Sequence, residues 1–198
     1  MARKINDVQL MQLLEAAIFA ADKPLSRAEL QASVLAEFAV SSRKLTHALQ
    51  QLQHDYSARG IQLLETASGY RFYTRPEFSE PLASLWPERS PRYSRAVLET
   101  LVLIAYRQPI TRGEIEEIRG VTVSTQIIRT LTERGWVKVV GHKDVPGRPG
   151  LYATTAAFLD YFGLTHLNAL PPLTEFTAIL GEEHAQQVST VEMTGELH

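Results

Sequence analysis

The feature that most constrains the fold is a duplication inside the chain. Residues 24–30 read PLSRAEL and residues 109–115 read PITRGEI, an offset of about 85 positions. Upstream, LLEAAIFAADK at 13–23 aligns with VLETLVLIAYR at 97–107 after one extra residue, Gln108. This spacing is much longer than the repeat of a solenoid, so it predicts two copies of one small domain.

Each copy contains a helix start that the residue types predict. Ser26 with Glu29, and Thr111 with Glu114, have the spacing of a capping box. In that motif the hydroxyl accepts from the third N–H of the helix and the carboxylate reaches back to the cap. Proline ends the preceding helix, and apolar residues fill the flanking staple positions: Pro24, Leu25 and Leu30 in the first copy, and Pro109, Ile110 and Ile115 in the second.

A third helix and a pair of strands follow in each copy. In the first copy a helical face is predicted before Gly60, and strands are predicted on either side of a turn at 67–69; the face comprises Leu45, Leu49, Leu52 and Tyr56. In the second copy Ile127, Ile128 and Leu131 line a helix that ends at Gly135. Strands at 136–140 and 151–155 then flank the stretch GHKDVPGRPG. Helix, helix, helix, hairpin is the winged-helix arrangement.

The predicted fold class is therefore α+β, mainly α, with tandem winged-helix domains of three helices and a β-hairpin wing each. The first domain takes residues 1–86, with Phe78, Leu82, Leu85 and Trp86 on a short closing helix. Residues 87–93 form a basic linker, for which a solvated role is favoured over an anion or partner contact. The second domain, 94–164, closes on a helix whose Phe158, Leu159 and Phe162 pack inward. An extension and flexible acidic tail fill 165–198, and 173–180 is either a frayed end or a partner-docking helix.

The wing sequence GHKDVPGRPG is rich in glycine, but a strand follows it where a phosphate-binding loop needs a helix N-terminus. Pro146 and Gly147 suit the central positions of a type II turn, and Pro149 removes a hydrogen-bond donor before the returning strand. The glycines are therefore expected to serve the backbone geometry of the turn. Lys143 and Arg148 remain the candidate functional side chains of this wing.

The charge distribution limits the classes of partner that the chain can bind. Residues 149–198 carry six acidic residues and no Lys or Arg, which leaves residues 1–148 with a net charge of +4. That excess is small for a dedicated nucleic-acid binder. The 198-residue chain has no cysteine, which suits a reducing cytoplasm, and no run long enough for a membrane helix.

No catalytic or metal-binding motif is present, so we expect neither an enzyme nor a cofactor. The third helices offer side chains for DNA, namely Arg43, Lys44 and His47 in the first copy, and Gln126, Arg129 and Arg134 in the second. These would give weak, salt-sensitive contacts, so protein binding is favoured and a DNA-binding winged-helix regulator stays as the alternative.

Two segments resemble the bacterial segregation and condensation protein B (ScpB) family. They are LETLVLIAYRQPITRGEIEEIRGV at 98–121 and DVPGRPGLYATTAAFLDYFGL at 144–164, within a resemblance that spans roughly residues 5–173. The resemblance implies two winged-helix domains and a non-enzymatic, nucleoid-associated subunit of the SMC condensin. It implies a homodimer that binds the kleisin ScpA, which in turn bridges the SMC ATPase heads.

Candidate contact residues follow from the resemblance. The kleisin candidates are Tyr106, Gln108, Pro109, Glu117, Arg119, Lys143 and Arg148. For Arg119 and Arg148, an internal bracing role and a contact with kleisin or DNA are both open. For dimerisation through the N-terminal domain, the candidates are Leu10, Leu14 and Phe19. Gly120 is expected to need a positive φ, and Leu98, Leu101, Ile104, Ile115 and Ile118 are expected in the core.

Overall fold

The computed structural model describes residues 3–85 and 93–172, and the chain divides into two compact units. Unit 1 comprises residues 1–91 and 162–165, and unit 2 comprises residues 92–161 and 166–198. The expectations for Trp86, for most of the linker and for the acidic tail with its segment 173–180 fall outside the described residues.

Unit 1 consists of three helices followed by an antiparallel hairpin. In chain order these are α1 (Asp7–Ala20), α2 (Arg27–Ala32), α3 (Ser42–Asp55), β1 (Ile61–Glu65) and β2 (Tyr70–Thr74). The capping box of Ser26 and Glu29 forms as predicted at the start of α2. A second box, Asn6 with Gln9, begins α1 and was missed in the sequence. Each satisfies backbone donors that would otherwise lack partners.

Helices α1 and α3 supply seven of the thirteen buried residues that form the core in the described part of unit 1. The predicted face of α3 is confirmed, because Leu45, Leu49, Leu52 and Tyr56 are all buried. Burying one such leucine contributes roughly 1.5–3 kcal/mol. The short helix that was expected to close this domain forms as a 3₁₀ turn (Pro76–Phe78) and α4 (Ser79–Ala83). Phe78 and Leu85 are exposed, and no residue of either element is buried.

Unit 2 repeats the order of unit 1 and adds a strand. Its elements are α5 (Arg95–Arg107), β3 (Ile110–Thr111), α6 (Arg112–Arg119), α7 (Thr125–Glu133), β4 (Val137–His142), β5 (Gly150–Thr154), α8 (Ala156–Tyr161) and a 3₁₀ turn (Leu167–Ala169). The sheet order is β3-β5-β4, and both pairings are antiparallel. Gly120 ends α6 with a φ of 67°, as predicted, and Gly135 follows α7 with a φ of 69°.

The core of unit 2 agrees in part with the core residues predicted from the sequence. Leu101, Ile104 and Ile115 are buried as expected, whereas Leu98 and Ile118 are half-buried and Val97 takes an inward position instead. On α8 the prediction that Phe158, Leu159 and Phe162 all pack inward was too broad. Phe158 is buried, Leu159 is half-buried and Phe162 is exposed.

The duplication extends to a backbone contact that the sequence pattern did not reveal. In unit 1, Leu25 and Tyr70 exchange two hydrogen bonds of 3.0 and 2.8 Å, which join the start of α2 to the hairpin. In unit 2, Ile110 on β3 lies opposite Tyr152 on β5 in an antiparallel pair. The residue after the repeated proline therefore adds to the second wing strand in both copies, and the chain has the predicted tandem winged-helix fold. No helix in the described ranges is long and apolar enough to cross a membrane.

Gly69 generates the first prediction. Its φ is +145°, and a Cβ at this position would lie 2.3 Å from the carbonyl carbon of Leu25 and 2.4 Å from the amide nitrogen of Ser26. We expect Gly69→Ala to lower the free energy of unfolding by about 3 kcal/mol, because backbone atoms must move to relieve the clash. Urea unfolding followed by circular dichroism measures the loss.

Gly113→Ala is the matched control. A Cβ on Gly113 meets no atom within 4 Å, and the residue lies in α6. Alanine favours a helix, so this variant should be neutral or more stable by up to about 1 kcal/mol. An unchanged unfolding midpoint for Gly69→Ala would contradict the tight approach of the hairpin to Leu25.

Candidate protein-interaction surfaces

The junction between α5 and β3 holds three of the residues proposed for partner contact. Two of them point at this chain's own backbone. The side-chain oxygen of Gln108 accepts from the N–H of Thr154 at 2.8 Å, and its amide donates to the carbonyl of Ala105 at 3.0 Å. The hydroxyl of Tyr106 donates to the carbonyl of Pro171. Pro109 is exposed, so its surface is available to a partner.

Arg119 joins the end of α6 to α5. Its guanidinium donates to Glu99 at 2.9 Å and to the hydroxyl of Thr100 at 3.4 Å, and only 9% of the side chain is exposed. Glu99 also pairs with Arg95 at 2.9 Å. This geometry supports a bracing role for Arg119, and its contact with kleisin or DNA stays a prediction. Glu117 is exposed, and no ion pair forms there within the described residues.

The wing of unit 2 is fixed by a turn and an ion pair. The N–H of Arg148 donates to the carbonyl of Val145 at 2.9 Å and Gly147 has a φ of 84°, which agrees with the predicted type II turn. Lys143 donates to Glu114 at 2.6 Å. Arg148 is exposed and has a φ of 39°.

Glu114 uses its two carboxylate oxygens for different purposes. One accepts from the N–H and the hydroxyl of Thr111 at 2.8 and 2.7 Å, which completes the capping box. The other accepts from Lys143. The Lys143 ammonium, with the two Thr111 donors, lowers the pKa of Glu114 to about 2. The carboxylate is therefore ionised at neutral pH and holds the wing to the start of α6.

Helix α1 presents a different kind of surface in unit 1. Two of its three predicted dimer residues, Leu10 and Leu14, have 1% and 0% of their surface exposed and belong to this chain's own core. Phe19 is 74% exposed. The outer positions along the helix are also exposed and uncharged, namely Val8, Gln12, Ala16 and Phe19, which we call the α1 stripe. Of the three candidates, only Phe19 has side-chain surface to offer a second copy.

A groove with an aromatic wall lies beside the end of this stripe. It is lined by Gln12, Glu15, Ala16, Phe19, Tyr56, Ile61 and Phe72. The rings of Tyr56 and Phe72 are 4.8 Å apart. The Tyr56 hydroxyl donates to Glu15 at 2.5 Å, and this bond raises the pKa of Tyr56. Sequence reasoning placed Tyr56 only in the core; the signal for the groove is that α1 has the apolar residues Ala16 and Phe19 on its outer side in addition to its apolar inner side.

The basic residues proposed for DNA contact are partly occupied within the chain. Lys44 pairs with Asp7 at 2.8 Å and lowers the pKa of that carboxyl. Arg129 pairs with Glu133 at 2.7 Å, and this bond raises the pKa of Arg129. Arg134 lies over the ring of Tyr93, 5.4 Å from its centroid. Each such contact must be given up or shared before the cation can bind a phosphate.

Comparison with known proteins identifies the family. The model of the segregation and condensation complex subunit ScpB matches residues 12–173, which includes elements of both units.

The chain belongs to the ScpB family.

Two proteins of similar sequence agree with this assignment. The segregation and condensation protein B homolog of Coxiella burnetii is 51% identical over 85% of this chain and 81% of its own length. Segregation and condensation protein B of Syntrophotalea carbinolica is 40% identical over 91% of this chain and 90% of its own. A solved dimer of the ScpB N-terminal domain complexed with ScpA peptide is 30% identical, covers 43% of this chain and 92% of that one, and has a TM-score of 0.32.

Family membership makes this ScpB-family chain a subunit of a complex for chromosome segregation and condensation. A DNA-binding regulator, the alternative from the sequence, is not favoured. Among the described residues, no group of three or more His, Asp or Glu side chains is placed to hold a metal ion.

Arg119→Ala tests the bracing role. The substitution removes a buried guanidinium that bonds Glu99 and Thr100, so we expect a loss of about 2 kcal/mol in the free energy of unfolding. Arg119→Lys should recover only part of it, because an ammonium cannot reproduce the forked geometry. Urea unfolding at neutral pH provides the measurement.

Arg129→Ala is the control for Arg119. It also breaks an arginine–glutamate pair, but both of its side chains are exposed, so the unfolding midpoint should barely move. Equal midpoints for Arg119→Ala and Arg129→Ala would show that Arg119 does not brace unit 2.

A double-mutant cycle of Lys143→Met and Glu114→Gln tests the wing contact. Both side chains are partly exposed, so the coupling should be only about 0.5 kcal/mol at pH 7. The folded-state pKa of Glu114 lies below its usual 4.5, so the stabilisation is complete above that value and is lost as the pH falls toward about 2. Thermal melts across this range should show the coupling fade.

Lys138→Met serves as the control for this cycle. Lys138 is an exposed lysine of the same wing, and it forms no ion pair with any described residue. Its combination with Glu114→Gln should show no coupling at any pH. A coupling between Lys143 and Glu114 that stayed constant down to pH 2 would contradict the proposed ion pair.

Proposed function

We propose that this chain is a non-catalytic, homodimeric subunit that binds the kleisin ScpA and acts with the SMC ATPase through that kleisin. Its role is chromosome condensation and segregation, at the nucleoid in the cytoplasm. The observation that carries the proposal is the family match, which spans residues 12–173 and therefore both winged-helix units. A subunit without its own reaction acts by holding other subunits in place.

The homodimer is supported by the composition of α1. A helix that lies on a protein surface usually has one apolar face and one charged face. The α1 stripe instead ends in Phe19, an exposed aromatic side chain beside the groove of Tyr56, Ile61 and Phe72. Aromatic side chains that fill a neighbour's pocket contribute a large share of the binding energy at interfaces. The ring of Phe19 in one copy and the groove of another copy are both rich in apolar and aromatic surface, so the ring suits the groove.

Protein binding rather than DNA binding is supported by the charges. Residues 1–148 carry a net charge of only +4, and two cations of the third helices, Lys44 and Arg129, are paired within the chain. Affinity for DNA depends on how many phosphates the free cations neutralise. Exposed apolar side chains, by contrast, gain free energy when another polypeptide covers them.

Phe19→Asp tests the dimer. Light scattering of the full chain should give twice the 22.2 kDa monomer mass for the wild type and a monomer for the variant at micromolar concentration. The side chain is exposed, so circular dichroism should be unchanged. Leu85→Asp, also at an exposed apolar residue of unit 1 but outside α1, should remain dimeric. A wild-type monomer, or a dimer in both variants, would refute this interface.

Binding to purified cognate kleisin tests the partner. Titration calorimetry should show a complex with the kleisin that persists at 150 mM salt. Duplex DNA in the same buffer should bind weakly and lose affinity steeply with added salt. Tight, sequence-selective DNA binding without kleisin binding would overturn the proposal in favour of the regulator.

A further inference from the structure

Strand β4 forms an open edge of the sheet in unit 2. It bonds to β5 on one side, and the sheet order leaves its other side unpaired by the described residues. Lys138, Val139, Val140 and His142 are all exposed. Such an edge presents a row of backbone N–H and C=O groups to which another extended chain can pair.

Two exposed valines make part of this edge apolar. Val139 and Val140 are each 49% exposed, and the register of β4 against β5 shifts between Val139 and Gly141. On β5, Val139 pairs with Tyr152, and Gly150 pairs with His142 farther along the strand. The two exposed valines therefore give the strand an apolar surface next to its unpaired edge.

The charges around the edge are mainly positive. The wing carries Lys138, Lys143 and Arg148, against a single carboxylate at Asp144. Lys143 is taken up by Glu114, whereas Lys138 and Arg148 form no ion pair with any described residue. The edge therefore combines unpaired backbone groups, two exposed valines and two available cations.

We propose that the outer edge of β4 is a strand-addition site for an extended, acidic segment of a protein partner. Backbone pairing supplies the affinity, apolar side chains of the segment pack against Val139 and Val140, and carboxylates of the segment face Lys138 and Arg148. The identification of that partner as the kleisin rests on the proposed function.

Charge and polarity decide between possible occupants. Pairing with the same edge of a second copy would bring Lys138 and the other wing cations against each other, which is unfavourable across a strand pair. DNA would match the cations but would leave the two valines against phosphates or water. An acidic segment with apolar side chains at alternate positions satisfies both features.

The experiment compares wing variants in full-length protein with purified cognate kleisin as the probe. Val139→Lys with Val140→Lys should weaken binding at least about tenfold. Lys138→Glu should also weaken it, and Lys138→Arg should restore wild-type affinity. Val121→Lys is the matched control, because Val121 is an equally exposed valine of unit 2 that precedes α7, and it should bind as the wild type does.

Hydrogen exchange separates strand addition from a contact between side chains alone. On kleisin binding the backbone amides of residues 138–142 should become protected, and the amides of 121–124 should not. The proposal is overturned if the kleisin binds normally to the double valine variant without protecting β4; the proposed function would then still stand. It is also overturned if duplex DNA, and not the kleisin, is the ligand lost in these variants. If the wild type binds no kleisin, both this site and the proposed function fail.

Discussion

Each unit depends on one short connection between its first two helices. This connection consists of a proline, an aliphatic residue and a residue with a side-chain hydroxyl. The proline ends the first helix, the aliphatic residue pairs with the second wing strand, and the hydroxyl caps the next helix. In unit 1, Leu25 bonds Tyr70 and Ser26 caps α2; in unit 2, Ile110 pairs with Tyr152 and Thr111 caps α6. Three residues thus fix the helix-turn-helix and the wing against each other. Without this connection the hairpin would be a two-stranded element of marginal stability.

The sequence predicted the features that depend on neighbouring residues. Capping boxes, glycine helix ends and the type II turn are set within a few positions, so Thr111 with Glu114, Gly120 and Gly147 could be identified from the pattern. The repeat then gave the order of elements and the tandem fold. Leu25 and Ile110 show the limit, because their role as a strand depends on a partner about 45 residues away in each copy.

The site residues were harder to predict because exposure is a property of the folded chain. Arg119 has the same side chain as the exposed Arg129, but Glu99 and Thr100 surround it only when α6 packs on α5. Leu10 and Phe19 lie on the same helix, α1, yet Leu10 is in the core and Phe19 is on the surface. Helical spacing does not say which apolar face of α1 the core will cover. The exposed valines of β4 have the same origin, since an edge strand is known only once the sheet order is.

The capping glutamate of each unit also shows how a duplicated domain can diverge without losing its fold. In unit 1 the spare oxygen of Glu29 accepts from Lys23, only six positions away, at 2.7 Å. In unit 2 the equivalent oxygen of Glu114 accepts from Lys143, which is 29 positions away on the wing. The first pair is local, whereas the second joins the wing to the start of α6. In unit 1 a different ion pair makes the corresponding link, because Arg27 at the start of α2 lies 3.4 Å from Glu65 on β1. The two copies therefore connect hairpin and helix through different residues, and a substitution that loosens one wing leaves the other unaffected.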